Sequence, residues 1–452
     1  MASSTSHVLV IPYPIQGHIN PMLQFSKRLA SKGLIVTLVT TTSIANTVCV
    51  GTSSVQTACI FDGLHSGEKP DSIDVYLRLF KDSVSVSLAQ FIEEGKKTEN
   101  PFKVLVYDSV MSWALDIARQ HGLLGVSFFT QNCAVGAIFY HLREGHLEEG
   151  EDGAGVVALP AMPELGTEDL PSFVRDKGSY PFLVSLVVDQ FSNFRQADWL
   201  LFNTFDKLEK EIVEWMASQS WPIKTIGPTI PSMYLDKRLE DDKDYGISLF
   251  KPSAEDCIQW LDTKQKGTVV FASFGSLASL GEEPMKEIAW GLKDSNCYFL
   301  WVVRESEQSK LPSNFVEETS EKGLIVNWSP QLDVLGHPAV GCFMTHCGWN
   351  STIEALSLGV PMVAMPQWTD QPTNAKFLAD LWHAGVRVQA RGKEMISREE
   401  IARCIREIME GERGDELRRN AAKWRELAME AVGEGGSSDK NIEEFVEEVA
   451  SL

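Results

Sequence analysis

Short, nearly continuous runs of Val, Ile, Leu and Phe alternate along most of the chain with longer stretches of helical periodicity, the pattern of buried parallel strands joined by helices. Residues 7–13 read as a strand and 14–18 as a loop. A helix then opens at Asn20-Pro21, where Pro suits the first helical position, and ends at Gly33. Residues 34–41 give a second strand, which completes a βαβ unit. A strand over 103–107 ends at Asp108, a helix runs to about His121, and another strand covers 126–130. Residues from about 145 to 190 are less regular: GEDGAG is a loop, the Pro-containing run to Pro181 reads as an insertion shaping a pocket, and the helix over 182–194 is apolar on much of its surface. After a strand at 199–203 and a helix to about Ala217, residues 227–252, rich in Pro, Asp and Lys, are the best linker candidate. The alternation then restarts with strands at 268–274, 297–303, 324–327 and 361–365 and helices at 283–293 and 371–384. From Ser397 onward the chain is helical, interrupted by GEGGSS at 433–438. Two doubly wound α/β domains are the economical reading.

Composition fits this picture. A chain of 452 residues with 44% hydrophobic content can bury two sizeable cores. The formal net charge of -21 argues against nucleic acid or an anionic membrane surface as partner. No apolar run approaches a membrane span, MASSTS lacks the charged start of a signal peptide, and the eight cysteines match no zinc or CxxC spacing, so a cytosolic protein with reduced core thiols is expected.

The most informative stretch is 328–371, WSPQLDVLGHPAVGCFMTHCGWNSTIEALSLGVPMVAMPQWTDQ. It predicts a buried strand over 340–345, a turn at His346-Cys347-Gly348, and a helix over 350–358 with Gly359 just past its end. Gly348 supplies the bend, Asn350 and Ser351 suit the helix cap, and the amides of the first turn favour an anion. His346 as a phosphate donor, Glu354 as a carboxylate for ribose hydroxyls and Trp328 as a flat face for a base together fit a nucleoside diphosphate. Trp368, Asp370 and Gln371 are polar groups suited to sugar hydroxyls.

This whole stretch resembles the C-terminal signature box of the plant family 1 UDP-glycosyltransferases, and the likeness extends more loosely from the His18 segment to the last helix. The resemblance implies two Rossmann-like domains facing across a cleft, the GT-B fold: residues 1–235 for the acceptor, a linker at 236–252, and 253–452 for the UDP-sugar, with the last helix packing back on the first domain. It implies that Trp328 stacks on uracil, that Gln331 lies near base and ribose, that Glu354 holds the ribose, and that His346, Asn350 and Ser351 contact the diphosphate. Trp349, Asp370 and Gln371 would face the sugar, and a Gln at position 371 goes with glucose more often than galactose. Ser276, in SFGS, resembles the family's second contact to the diphosphate.

Transfer of a sugar to a hydroxyl needs a base, and His18, in GHINP, is the candidate because imidazole titrates near working pH. Asp108 would hold its other ring nitrogen. Both fall at strand ends, where open parallel sheets bind ligands. Thr130 and Gln131 are candidates to line the same site. An Asp-x-Asp pattern at Asp242-Lys243-Asp244 could hold a metal in other sugar transferases, but here it lies in the linker and reads as a solvated charge run. The expected protein is a monomeric, metal-independent, inverting transferase with no cofactor beyond its UDP-glucose donor. Its acceptor is a small lipophilic plant metabolite, with a terpenoid or steroid hydroxyl preferred over phenolic or carboxylic acid acceptors. The alternatives are a non-catalytic UDP-sugar sensor, which the presence of both His18 and Asp108 disfavours, and a dehydrogenase, which the absence of GxGxxG after the first strand disfavours.

Overall fold

A computed structural model describes residues 6–44, 54–65, 68, 72–147, 155–176, 178, 180–246, 254–276, 280–390 and 395–452. The chain divides into two compact units, one made of Met1–Thr167, Phe173–Leu249 and Met429–Leu452, the other of Glu168–Ser172 and Phe250–Ala428.

The first unit holds seven strands: β1 (His7–Ile11), β2 (Ile35–Thr41), β3 (Gln56–Ile60), β4 (Phe102–Asp108), β5 (Leu124–Phe129), β6 (Trp199–Phe202) and β7 (Ile223–Thr225). They lie in the order β3-β2-β1-β4-β5-β6-β7, all parallel, with Val10 beside Leu38 on one side and Val106 on the other. Both faces of this sheet are covered, which is why β1 is apolar without alternation. The helix Gln16–Ser31 sets Met22, Leu23 and Phe25 against one face. The helix Ser437–Ala450 joins the same core through Ile442, Phe445 and Val449, spaced to share one helical face. Its polar flank is tied down as well, by Trp199 Nε1 to Glu448 at 2.9 Å and by Ser438 Oγ to the Gly227 carbonyl at 2.6 Å.

The second unit repeats the plan with six parallel strands: β8 (Val269–Ser273), β9 (Tyr298–Val302), β10 (Gly323–Val326), β11 (Val340–Thr345), β12 (Met362–Ala364) and β13 (Gly385–Arg387), in the order β10-β9-β8-β11-β12-β13. In each unit the order turns back on itself beside the first strand, so the crevice for a ligand opens between β1 and β4 in one and between β8 and β11 in the other.

Three readings of the sequence change. The first helix starts at Gln16, not at Asn20, and Pro21 lies inside it; Pro21 offers no amide to the Gly17 carbonyl, and the turn still forms because Ile19 N–H bonds to the Ile15 carbonyl. Asp236 and Asp242 of the charged run after 235 are built into the fold, while Lys243 and Asp244 stay exposed. Arg28 pairs with Asp236 at 2.5 and 2.9 Å, and the buried Asp242 carboxylate meets Lys27 Nζ at 2.7 Å and the Ser232 N–H at 2.7 Å. The basic edge of the first helix supplies the counter-charges, so Asp242 serves the fold; residues 247–252 of the expected linker lie outside the described residues. Third, the helix after Gln371 passes at Phe377–Leu381 into a π-helical turn. The loop expected over 150–155 falls almost wholly outside the described residues, as does Cys49. The described cysteines are free and most are buried, Cys59 being exposed.

Candidate active site

In the first unit His18 occupies the opening turn of the helix that follows β1, and Asp108 is the last residue of β4, so the topology delivers both to the β1/β4 crevice. Asp108 is fully buried and its Oδ2 lies 2.6 Å from His18 Nδ1. The same carboxylate accepts the Tyr13 N–H on Oδ2 and the Val110 N–H on Oδ1, each at 3.3 Å, which fixes its plane. A carboxylate accepts, so Nδ1 carries the proton and Nε2 is left as the basic nitrogen. Thr130 Oγ1 stands 3.3 Å from Nδ1. The neighbouring Gln131 has a buried Nε2 without a hydrogen-bond partner among the described residues.

In the second unit the corresponding crevice is built from the turns after β8 and β11. Cys347, not Gly348, takes the left-handed conformation, with φ +62, while Gly348 sits at φ −58 as the cap residue of the helix Trp349–Leu358. Glycine is needed at 348 for another reason: a Cβ there would come within 2.6 Å of His346 Nε2. A Cβ on Gly275 meets the same atom at the same distance, so the imidazole is packed between two glycines. Burial lowers the His346 pKa to about 4, against a hydrogen bond to the Ser273 backbone that raises it, and the ring is therefore neutral at neutral pH.

The helix starts a residue earlier than the sequence suggested, so Asn350 and Ser351 lie in its first turn rather than at its cap. Its own ladder begins with Thr352 N–H to the Gly348 carbonyl. Gly348 brings no side-chain cap to this end. The first unit differs: there Asp108 caps the turn after β4, and the buried Glu209 accepts the Cys133 and Ala134 amides at 3.0 and 2.8 Å at the start of the helix Cys133–Arg143, which follows β5.

Glu354 and Ser351 are one turn apart on the same helix, and Gln331 joins them, its Nε2 donating to Glu354 at 2.7 Å and to Ser351 Oγ at 3.0 Å. Trp328 is half-buried. Ser276 is reached from outside the box: Arg304 Nη1 donates to its carbonyl at 2.5 Å. The Trp349 indole is buried and faces Trp382 with ring centres 6.0 Å apart. Gln371 Oε1 accepts the Gln367 and Trp368 amides at 2.8 and 3.0 Å, which leaves the amide end of its side chain as the donor to a hydroxyl. Asp370 is held by Asn374, whose Nδ2 also donates to the Cys347 carbonyl at 2.9 Å and so ties the 368–371 segment to the turn after β11. Asn374, Gly275 and Arg304 were not singled out from the sequence, since their roles depend on neighbours distant in the chain.

No helix among the described residues is long and apolar enough to cross a membrane. Comparison with known proteins gives two family matches: residues 183–422 fit the UDP-glucoronosyl and UDP-glucosyl transferase family, and residues 4–56 fit the glycosyltransferase N-terminal domain. UDP-glycosyltransferase 74E2 of Arabidopsis thaliana is 52% identical over 98% of both chains, and a mogroside I-E synthase of Siraitia grosvenorii is 49% identical over 99% of both. Among solved structures, Os79 of O. sativa in complex with UDP superposes with a TM-score of 0.91 at 39% identity, covering 98% of this chain and 100% of that one. With two Rossmann-like units of GT-B type and this likeness over nearly its whole length, the chain belongs to the plant family 1 UDP-glycosyltransferases and is a glycosyltransferase.

Proposed function

We propose that the protein transfers glucose from UDP-glucose to a hydroxyl of a small lipophilic metabolite, with inversion and without a metal ion. The observation that carries the reading is the 2.6 Å contact between His18 Nδ1 and the buried Asp108, which fixes the tautomer with a basic Nε2. Nε2 takes the acceptor proton, the oxygen bonds to the anomeric carbon, and the bond from that carbon to the diphosphate oxygen breaks, its electron pair leaving with UDP. Asp108 stabilises the imidazolium so formed. The charge on UDP is met by the start of the helix Trp349–Leu358, by Ser276 and by His346. Trp328 carries the uracil, Gln331 and Glu354 the ribose, and Asp370 and Gln371 the glucose. Asp242, engaged by Lys27 and Ser232, is not available to an Asp-x-Asp metal site.

A lipophilic hydroxyl acceptor fits the surroundings of His18, which include the Tyr13 ring, the Asp108 carboxylate and the Thr130 hydroxyl. Names among the relatives point the same way: a mogroside synthase hints at terpenoid glycosides, and an Os79 complex holds a trichothecene. The free cysteines suit a cytosolic location. His18→Ala tests the assignment: transfer to an alcohol should fall roughly 10²- to 10⁴-fold while UDP affinity by calorimetry stays put. Full turnover in that variant would remove His18 from the mechanism.

A further inference from the structure

Residues 168–172 belong to the second unit although their neighbours on both sides belong to the first. Asp169 anchors them. Its buried carboxylate meets Arg387 Nη1 at 2.5 Å and Lys376 Nζ at 3.5 Å, and its carbonyl accepts from Thr373 Oγ1 at 2.7 Å. This docking brings Ser172 to Thr369 in a reciprocal pair: the Thr369 N–H donates to Ser172 Oγ at 2.7 Å, and the Ser172 N–H donates to the Thr369 carbonyl at 2.8 Å. Thr369 has φ +56, a region that β-branched residues avoid. Its hydroxyl donates to Asp370 Oδ1 at 2.6 Å, and Asp370 and Gln371 follow directly.

We propose that Ser172 is a positioning residue for the sugar of the donor, holding Thr369 in the left-handed conformation from which Asp370 and Gln371 are presented. The inference rests on the reading of those two residues as the sugar-facing pair. Ser172 acts through the Thr369 backbone. Without the reciprocal bonds, Thr369 relaxes toward negative φ and the two polar side chains after it turn with the chain. Uracil and ribose contacts come from Trp328, Gln331 and Glu354, so loss of Ser172 separates recognition of the sugar from recognition of the nucleotide.

The experiment uses the full chain, UDP-glucose as donor and UDP as competitive inhibitor. Ser172→Ala should raise the donor KM about tenfold, in line with release of backbone strain, with the UDP inhibition constant unchanged. Glycine adopts positive φ without strain, so the same replacement made in the T369G background should change donor KM less than about twofold relative to T369G alone. An unchanged donor KM in S172A, equal weakening of UDP and UDP-glucose, or the same loss in both backgrounds overturns the proposal. Asp370→Asn separates the layers: if it leaves donor KM unaltered, the sugar-facing reading fails and the proposal with it, whereas an effect there with none in S172A removes Ser172 alone.

Discussion

His346 is a neutral ring buried between two glycines. With its pKa lowered to about 4 by burial, below the ordinary value of 6.5, the unfolded chain binds the proton first as pH falls. The contribution of this residue to stability is therefore complete above pH 6.5 and is lost as pH drops from 6.5 toward 4, at about 1.4 kcal/mol per pH unit. Denaturant melts at pH 7 and 5 should show that slope in the wild type and a shallower one in His346→Gln; equal slopes would remove the assignment. A bound diphosphate favours the charged ring, so UDP-glucose binding should take up a proton below neutrality. Calorimetry in buffers of different ionisation enthalpy reads the uptake, and H346Q should abolish it. The two glycines around the ring give a separate forecast. Gly275→Ala and Gly348→Ala each put a Cβ 2.6 Å from Nε2, so each should raise donor KM and lower stability by about 1–3 kcal/mol from overpacking. At position 275 the φ of +76 adds strain to the clash, so G275A should be the worse of the two.

At the scale of elements, the helix Ser437–Ala450 belongs to the core of the unit it follows last in the chain. Phe445 is 1% exposed and its ring lies 5.5 Å from Trp199 and 5.9 Å from Phe25, so Phe445→Ala should cost about 3–5 kcal/mol. A melting curve in which S172A and F445A behave alike would argue against that packing. The helix Ile73–Gly95 shows what the sequence reading passed over. Ser72 caps it, and Phe80, Val84, Leu88 and Ile92 recur every four residues, a legible signal. The strand before it, β3, is at the sheet edge with mostly exposed side chains, so it lacks the apolar run that marked the others. By contrast β11 appears with the bounds the sequence indicated, because a strand buried on both faces writes itself as a continuous apolar run.

For the molecule as a whole, a net charge of -21 repels an anionic donor at long range, while the contacts that hold it are local. Salt screens the first more than the second. The association rate of UDP-glucose should accordingly rise between low and physiological ionic strength in stopped-flow measurements. A rate that falls with salt would mean that a local positive field dominates the approach. Repetition of one strand order in two units gives each a crevice beside its first strand. In the first, Asp108 caps the turn after β4 and orients His18; in the second, Gly348 stands at the start of the helix after β11.

Sequence alone determined the alternation of strand and helix, the two doubly wound halves, and the identity of the chemical groups, because periodicity and residue type are local properties. Only the tertiary structure decided that Cys347 rather than Gly348 takes the left-handed turn, that the Trp349 indole turns toward Trp382, that Asp242 is buried against Lys27, and that Ser172 clasps Thr369. Each of these depends on which distant side chain fills the neighbouring space, and that is set by packing between segments far apart in the chain.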